Sequence, residues 1–409
     1  MSSFEEQFEK ACRDREIPGV ILLACDAKGK FQYQKAFGPA TPTRPMDLNA
    51  TMILASCTKL MTTISAMQCV ERGLIALDEE VGNVLHELKD PQILTGFANG
   101  DSGGPIYKAS ATQITLRHLL THTSGLGHDM MNPIYATWRK ARGDPPYESE
   151  MTQSLIHNIN IPLMYEPGTS WSYGVSLDWA GVLVARLNNC SLEEFMEKNL
   201  WTPLGIKNLT FHQELKSDVR KNLVKMTSKN GHELARFSMP RKEAGKVEWT
   251  DEVIYEVPTK EECGGGGACG SPVEYMKIMQ SILLDDGKIL KSSTIDEMFT
   301  PQLKGGSLKF WNDFQGFLLL EGAFSREKPG TKMQWGIGGS LTDQDVETGK
   351  KKGTLSWSGL PNLLWTIDRT TGLNCMYASN VIPFGDYKSG EMQRMFEKEM
   401  YSRYDKVVK

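Results

Sequence analysis

The sequence predicts an α+β protein: an α/β sandwich lobe built on an antiparallel sheet, with an all-helical lobe inserted into it. Three observations carry that prediction. The N-terminus reads as a helix followed by a β-hairpin. The C-terminal third reads as three strands and a closing helix. The centre of the chain is helical and rich in loops. Strands at both ends must meet in one sheet. The natural division is therefore an α/β lobe from residues 1–90 and 270–409, interrupted by a mainly helical lobe over 91–269. A chain of 409 residues is long enough for such a two-lobed unit.

Each element has its own signal. Phe4, Phe8, Ala11 and Cys12 recur at helical spacing, so residues 3–15 form an amphipathic helix. In "GVILLACDAKGKFQYQKAFG" a continuous apolar run from Val20 to Cys25 is followed by the turn Asp-Ala-Lys-Gly and an alternating strand. "TLRHLLTHTSGLG" (115–127) is a short helix ended by Ser-Gly, and "SLDWAGVLVARLNNC" (176–190) carries a helical apolar stripe. "SPVEYMKIMQSILLDDG" opens with Ser271 as N-cap, Pro272 at the first helical position and Glu274 at the third, and Gly287 is its stop. "GTLSWSG" (353–359), "NLLWTID" (362–368) and "LNCMYASN" (373–380) are strands, and a helix follows over roughly 388–404. Residues 307–332 show no clear period and are expected to be loop.

Composition removes several function classes. A net charge of −4 gives no reason to expect nucleic acid or an anionic membrane surface as partner. No window approaches the ~18 apolar residues of a membrane span. The N-terminus has acids where a secretory signal has a basic start, so a cytoplasmic location is expected. The 8 cysteines are scattered without a C-x-x-C and read as reduced, mostly buried thiols. No metal, nucleotide or redox cofactor is implied.

The chemistry-bearing motif is "ILASCTKLMTTISAMQCVERG", residues 53–73, with Ser56 and Lys59 three apart at the start of a helix. That spacing puts both on one face, so Lys59 can reach the Ser56 hydroxyl. The helix N-terminus favours an alkoxide or oxyanion there. Serine needs such help to act as a nucleophile, and lysine serves as base only if its pKa falls. The plain alternative is that Ser56 caps the helix and Lys59 is solvated. The spacing alone leaves both open, since Ser325 and Lys328 repeat it in a charged stretch that reads as surface loop. Further residues favour an enzyme. "EPGTSWSYGVSLDWAG" places Tyr173 in a loop just before a helix, where it can relay a proton. "LSWSGLPN" places Ser358 and Gly359 at a strand end, where the Leu360 N–H could join that of Ser56 as an oxyanion donor.

In this order, Ser56-x-x-Lys59, "LRHLLTHTSGL", "PG…WSYG" and "WSG" resemble the serine β-lactamase/penicillin-binding-protein fold, in its class C β-lactamase and esterase branch. Over nearly the whole chain, "ITLRHLLTHTSGL", "YGVSLDWAG", "EECGGGG" and "GLPNLLWTID" resemble fungal polyketide acyltransferases of the lovastatin/simvastatin synthase type. The resemblance implies a Ser56 acyl-enzyme, with Lys59 and Tyr173 as acid/base partners and the Ser56 and Leu360 N–H groups as oxyanion hole. It implies an acyl carrier protein or small acyl thioester as donor and a small-molecule alcohol as acceptor. A carboxylesterase using the same acyl-enzyme is the alternative. Two departures argue against penicillin recognition. Val175 stands where β-lactamases usually carry Asn, and Trp357-Ser358-Gly359 lacks the basic residue of the K-T-G box. "ETGK" at 347–350 reads as a turn.

Other residues have plainer readings. His118 and His122 have helical metal spacing but no third ligand, and both read as structural. "CGGGGACG" (263–270) lacks the Lys of a phosphate loop and reads as a close backbone approach beside the site, with Gly266 near substrate. "WRKAR" (138–142) reads as a solvated helix face. Of Trp311, Trp335, Trp357 and Trp365, Trp357 is the best candidate for a substrate pocket, together with Ser358 and Gly359.

Overall fold

The computed structural model describes residues 3–100, 103–129, 131–144, 154–229, 245–251, 254–255, 257–320, 327 and 330–408. Ser325 and Lys328 lie outside the described residues. The chain runs through α1 (Phe4–Arg13), β1 (Val20–Asp26), β2 (Gln32–Phe37), α2 (Thr58–Glu71), α3 (Ser176–Asn188), α4 (Pro272–Leu284) and α5 (Gly305–Leu320). It then forms β3 (Met333–Trp335), β4 (Ser340–Thr342), β5 (Leu355–Gly359), β6 (Leu363–Asp368), β7 (Leu373–Ser379) and α6 (Tyr387–Val408).

The seven strands form one antiparallel sheet in the order β3-β4-β5-β6-β7-β1-β2, so both ends of the chain meet where β7 pairs with β1. That junction explains the unbroken apolar run in β1. Its residues alternate between two cores, and both faces of the strand are covered. Val20, Leu22 and Ala24 join Phe8 of α1 and Phe396 and Met400 of α6. Ile21 and Leu23 join Leu60 and Ile64 of α2 and Ile278 and Ile282 of α4. The expected α+β architecture is thus present, with helices on both faces of the sheet. Between α2 and α4 lie α3 and several shorter helices, among them Leu116–Leu120, Ile134–Arg142, Leu155–Ile159 and Leu192–Met196.

Local signals placed the elements well. Ser3 and Glu6 form a reciprocal capping box on α1, and the Ser271 hydroxyl accepts the Glu274 N–H of α4. Three details differ from expectation. The left-handed residue ending α4 is Asp285 (φ 51°), two positions before Gly287, because Asp tolerates that conformation when its side chain bonds locally. Residues 305–320, most of the expected loop, form helix α5. Its apolar residues are spread around the axis and leave no clean stripe, and Trp311 anchors it at 0% exposure. The strands β3 and β4, only three residues each, had no periodicity to announce them. All 8 cysteines are free thiols, and six of them are buried.

Candidate active site

The sequence turns sharply into α2. Leu54 is followed by Ala55 at φ 44°, a left-handed conformation that costs a residue with a Cβ roughly 1–2 kcal/mol. A short 3-10 turn over Ala55–Cys57 then feeds the helix. Ser56 is therefore not the helix cap, a position held by Cys57, whose side chain makes no capping bond. The Ser56 hydroxyl is left for other partners.

Two side chains take it. Lys59 Nζ donates to Ser56 Oγ at 3.1 Å, and the Tyr173 hydroxyl donates to the same oxygen at 2.8 Å. Lys59 is 7% exposed, and its Nζ lies 4.7 Å from the centroid of the Tyr173 ring. Its other bond goes to the Gly265 carbonyl, at 2.5 Å. Burial works against the ammonium, but Tyr173 and then Asp178 outweigh it, and Lys59 is held above the usual lysine range. The lowered pKa that a lysine base requires is thus not what these surroundings favour.

The glycine run makes the close approach expected of it. A Cβ on Gly264 would meet Thr62 Cγ2 of α2 at 3.2 Å, and one on Gly265 would lie 2.6 Å from an Asp178 oxygen. Asp178 itself was missed by sequence reasoning. It is 7% exposed, and its Oδ1 accepts the Gly265 N–H and the Cys263 thiol, each at 2.8 Å. It thereby anchors Gly265, the residue whose carbonyl accepts from Lys59. The available signal was an acid two residues into a helix, five after Tyr173, beside otherwise apolar residues.

The strand β5 supplies the facing wall. A Cβ on Gly359 would lie 2.4 Å from the Leu54 carbonyl and 3.3 Å from Cys57 Sγ, so only glycine lets the strand end reach the nucleophile turn. Leu360, the next residue, packs against a small cluster that contains Ala55, the neighbour of Ser56. Trp357, on the same face of β5, donates from Nε1 to the Tyr173 hydroxyl at 3.3 Å. Strand alternation turns Ser358 to the opposite face, where its pairing partner Leu364 belongs to the second core. Ser358 is thus not brought to the Ser56 hydroxyl. Gly266 follows the Lys59-binding peptide and lies under the Tyr255 hydroxyl, 2.3 Å from where a Cβ would stand.

Behind Tyr173 the aromatic residues form a continuous wall. Ring centroids are 5.3 Å apart for Tyr173–Trp357, 4.7 Å for Trp335–Trp357, 4.9 Å for Trp311–Trp335 and 4.5 Å for Trp171–Trp311. Trp365 belongs to the main core on the neighbouring strand, opposite Trp357. His122, 1% exposed, packs its ring 4.7 Å from that of Tyr173, and burial, then Lys59, lower its pKa well below the usual histidine value. His118 closes a capping box by accepting the Thr115 N–H at 3.2 Å. In the basic cluster Lys140 and Arg142 are exposed as expected, but Arg139 is not. Arg139 is 3% exposed and forks onto Asp129 at 2.6 and 3.0 Å, because the helix turns it toward the core. Lys350 of "ETGK" is likewise buried, between Glu327 and Glu397.

Residues 4–391 match the beta-lactamase family model. An ML-236A carboxylate methylbutanoyltransferase of Penicillium citrinum is 34% identical over 98% of this chain and 94% of its own length. A lovastatin esterase of Penicillium rubens is 34% identical over 97% of each chain. A solved simvastatin synthase variant from Aspergillus terreus superposes with a TM-score of 0.88 at 32% identity, over 98% of this chain and 95% of that one.

Proposed function

The chain belongs to the beta-lactamase family, and from that premise we propose that it is a serine acyltransferase that moves an acyl group from a thioester to an alcohol on a polyketide-type metabolite. The observation that carries the reading is the convergence of Lys59 Nζ and the Tyr173 hydroxyl on Ser56 Oγ, at 3.1 and 2.8 Å. The methylbutanoyltransferase and simvastatin synthase relatives support the reaction class.

The residues divide the work as follows. Lys59 is the cation beside Tyr173, and Tyr173 relays protons between Ser56 and the leaving or attacking group. Ser56 Oγ attacks the thioester carbon while its proton passes to the Tyr173 oxygen. The tetrahedral oxyanion is held by the Ser56 and Leu360 N–H groups, and Lys59 stabilises the charge that develops on Ser56 Oγ. The C–S bond breaks, Tyr173 returns the proton to the departing sulfur, and the acyl ester remains on Ser56. The acceptor alcohol then gives its proton to Tyr173 and attacks the ester. The bond to Ser56 breaks, and Tyr173 restores the serine proton. The Trp357 N–H steadies the Tyr173 oxygen throughout. The donor is a small acyl thioester or an acyl carrier protein, and the reaction is assigned to the cytoplasm. Among the described residues no helix is long and apolar enough to cross a membrane.

The second reading, a carboxylesterase, is favoured by the esterase relative of equal identity. It shares every step except the last nucleophile, which is water. Intact mass spectrometry with a short branched acyl thioester, followed by peptide mapping, separates the two. One acyl group on Ser56, discharged faster by alcohols than by buffer, supports transfer. Equal discharge rates support hydrolysis. Absence of any adduct or thiol release overturns acyl transfer from thioesters.

A further inference from the structure

The segment that carries His122 is the template on which the Tyr173 loop is laid. The Ser172 N–H donates to the His122 carbonyl at 3.0 Å, the Gly168 N–H to that of Thr123 at 2.8 Å, and the Val175 N–H to that of Gly127 at 3.1 Å. The Tyr165 hydroxyl donates to the same His122 carbonyl at 3.3 Å. His122 presents this carbonyl from a left-handed backbone conformation, φ 57°, which residues with a side chain adopt sparsely and keep only where surrounding contacts fix it. Tyr173 thus stands between two anchored residues, Ser172 before it and Val175 after it.

The His122 side chain is sealed at 1% exposure, and among the described residues neither of its ring nitrogens has a hydrogen-bond partner. A buried polar group without a partner calls for an explanation. Its neighbours are aromatic: ring centroids are 4.7 Å away for Tyr173, 5.4 Å for Trp335 and 5.8 Å for Trp171, and both indoles meet it in edge-to-face arrangement. Aromatic faces attract the polar edge of a neutral ring. They give an imidazolium no acceptor, and burial and then the Lys59 charge act against protonation. His122 is therefore a fixed, uncharged ring that links the tryptophans to Tyr173.

We infer that His122 is a positioning residue for Tyr173: its ring and its carbonyl together set the phenol so that one hydroxyl meets both Ser56 Oγ and Trp357 Nε1. This rests on the acyl-enzyme reading above, in which Tyr173 relays protons to and from Ser56. The Tyr173 oxygen lies 2.8 Å from Ser56 Oγ and 3.3 Å from Trp357 Nε1. Two bonds to one oxygen leave the ring free to tilt about it, and a ring packed 4.7 Å away removes that freedom. Sealed from solvent, His122 acts only through Tyr173. A misplacement on the order of 1 Å at a reacting group costs about 100-fold in rate.

The test is a double-mutant cycle in acyl transfer from a short thioester. His122→Ala, His122→Asn and His122→Phe are made alone and in the Tyr173→Phe background, with a thermal melt for each. His122→Ala and His122→Asn should lower kcat about 10- to 100-fold with KM nearly unchanged. Asn tolerates the left-handed backbone and carries the test if His122→Ala fails to fold. His122→Phe, which restores a ring, should recover most of the loss, and it carries the test if neither smaller variant folds. In the Tyr173→Phe background no His122 substitution should lower kcat further, because the hydroxyl being positioned is gone. A purely structural role predicts losses that add to that of Tyr173→Phe. Wild-type kcat in folded His122→Ala or His122→Asn, additive losses in the cycle, or a folded His122→Phe as slow as Tyr173→Phe would each overturn the inference alone. No acylation of wild-type Ser56 by any thioester or ester would instead overturn the acyl-enzyme reading.

Discussion

Replacing Asp178 by Asn tests how the lysine is held. The carboxylate accepts hydrogen bonds from the Gly265 N–H and the Cys263 thiol, each at 2.8 Å, and is almost fully buried. Hydrogen bonds to a charged acceptor are worth about 1.5–3 kcal/mol, and neutral ones about half that. Asn can keep the shape but not the charge. The Gly265 peptide then loses about 1–1.5 kcal/mol of restraint, and its carbonyl is the partner of Lys59. Placed on the transition state, that loss is a factor of roughly 10 in kcat, and the missing negative charge near the ammonium adds to it. We expect kcat to fall about 10- to 100-fold with KM nearly unchanged. The sign of the pH effect is also set. Burial opposes the Lys59 charge, and Tyr173 and Asp178 support it. Removing one support lowers the Lys59 pKa, so the alkaline limb of the kcat/KM profile moves to lower pH. The assay is acyl transfer from a short thioester across pH, with a thermal melt to confirm the fold. Wild-type kcat together with an unmoved alkaline limb would refute the claim that Asp178 positions Lys59.

The remaining predictions concern individual groups. Ser56→Ala should abolish acyl-enzyme formation and leave the melting temperature close to wild type, because the hydroxyl caps no helix; an adduct elsewhere in the chain would move the nucleophile. Tyr173→Phe and Lys59→Ala should each lower kcat by about two orders of magnitude or more, and near wild-type turnover would remove the residue's assigned role. Trp357→Phe loses one neutral hydrogen bond to Tyr173, worth about 0.5–1.5 kcal/mol, so a loss of roughly 3- to 10-fold in kcat is expected in the same assay. His212 shows a pH effect on stability. Burial opposes its charge, but Glu262 and Glu214 at 3.1 and 3.2 Å outweigh burial and raise its pKa above the usual histidine value. A raised folded pKa means stabilisation that is complete below about pH 6.5 and fades as pH rises through the folded value. Melting temperature should therefore drop across that window, and His212→Gln should flatten the slope.

The sequence by itself determined whatever depends on neighbours along the chain. Helix starts were legible because caps act over three residues, as at Ser3 and Ser271. The hairpin and the three C-terminal strands were legible because apolar runs and turns are local. Ser56 and Lys59 were legible as a pair because one helical turn joins them. The tertiary structure alone decided what depends on residues far apart. The charge on Lys59 is supported by Tyr173 and then Asp178, each more than a hundred positions away. Arg139 is a buried ion pair and not part of the solvated face because its helix turns it onto Asp129. The aperiodic stretch at 305–320 became a helix because Trp311 found Trp171 and Trp335 to pack against. Burial and long-range charge set protonation and packing, and neither has a local signature in the chain.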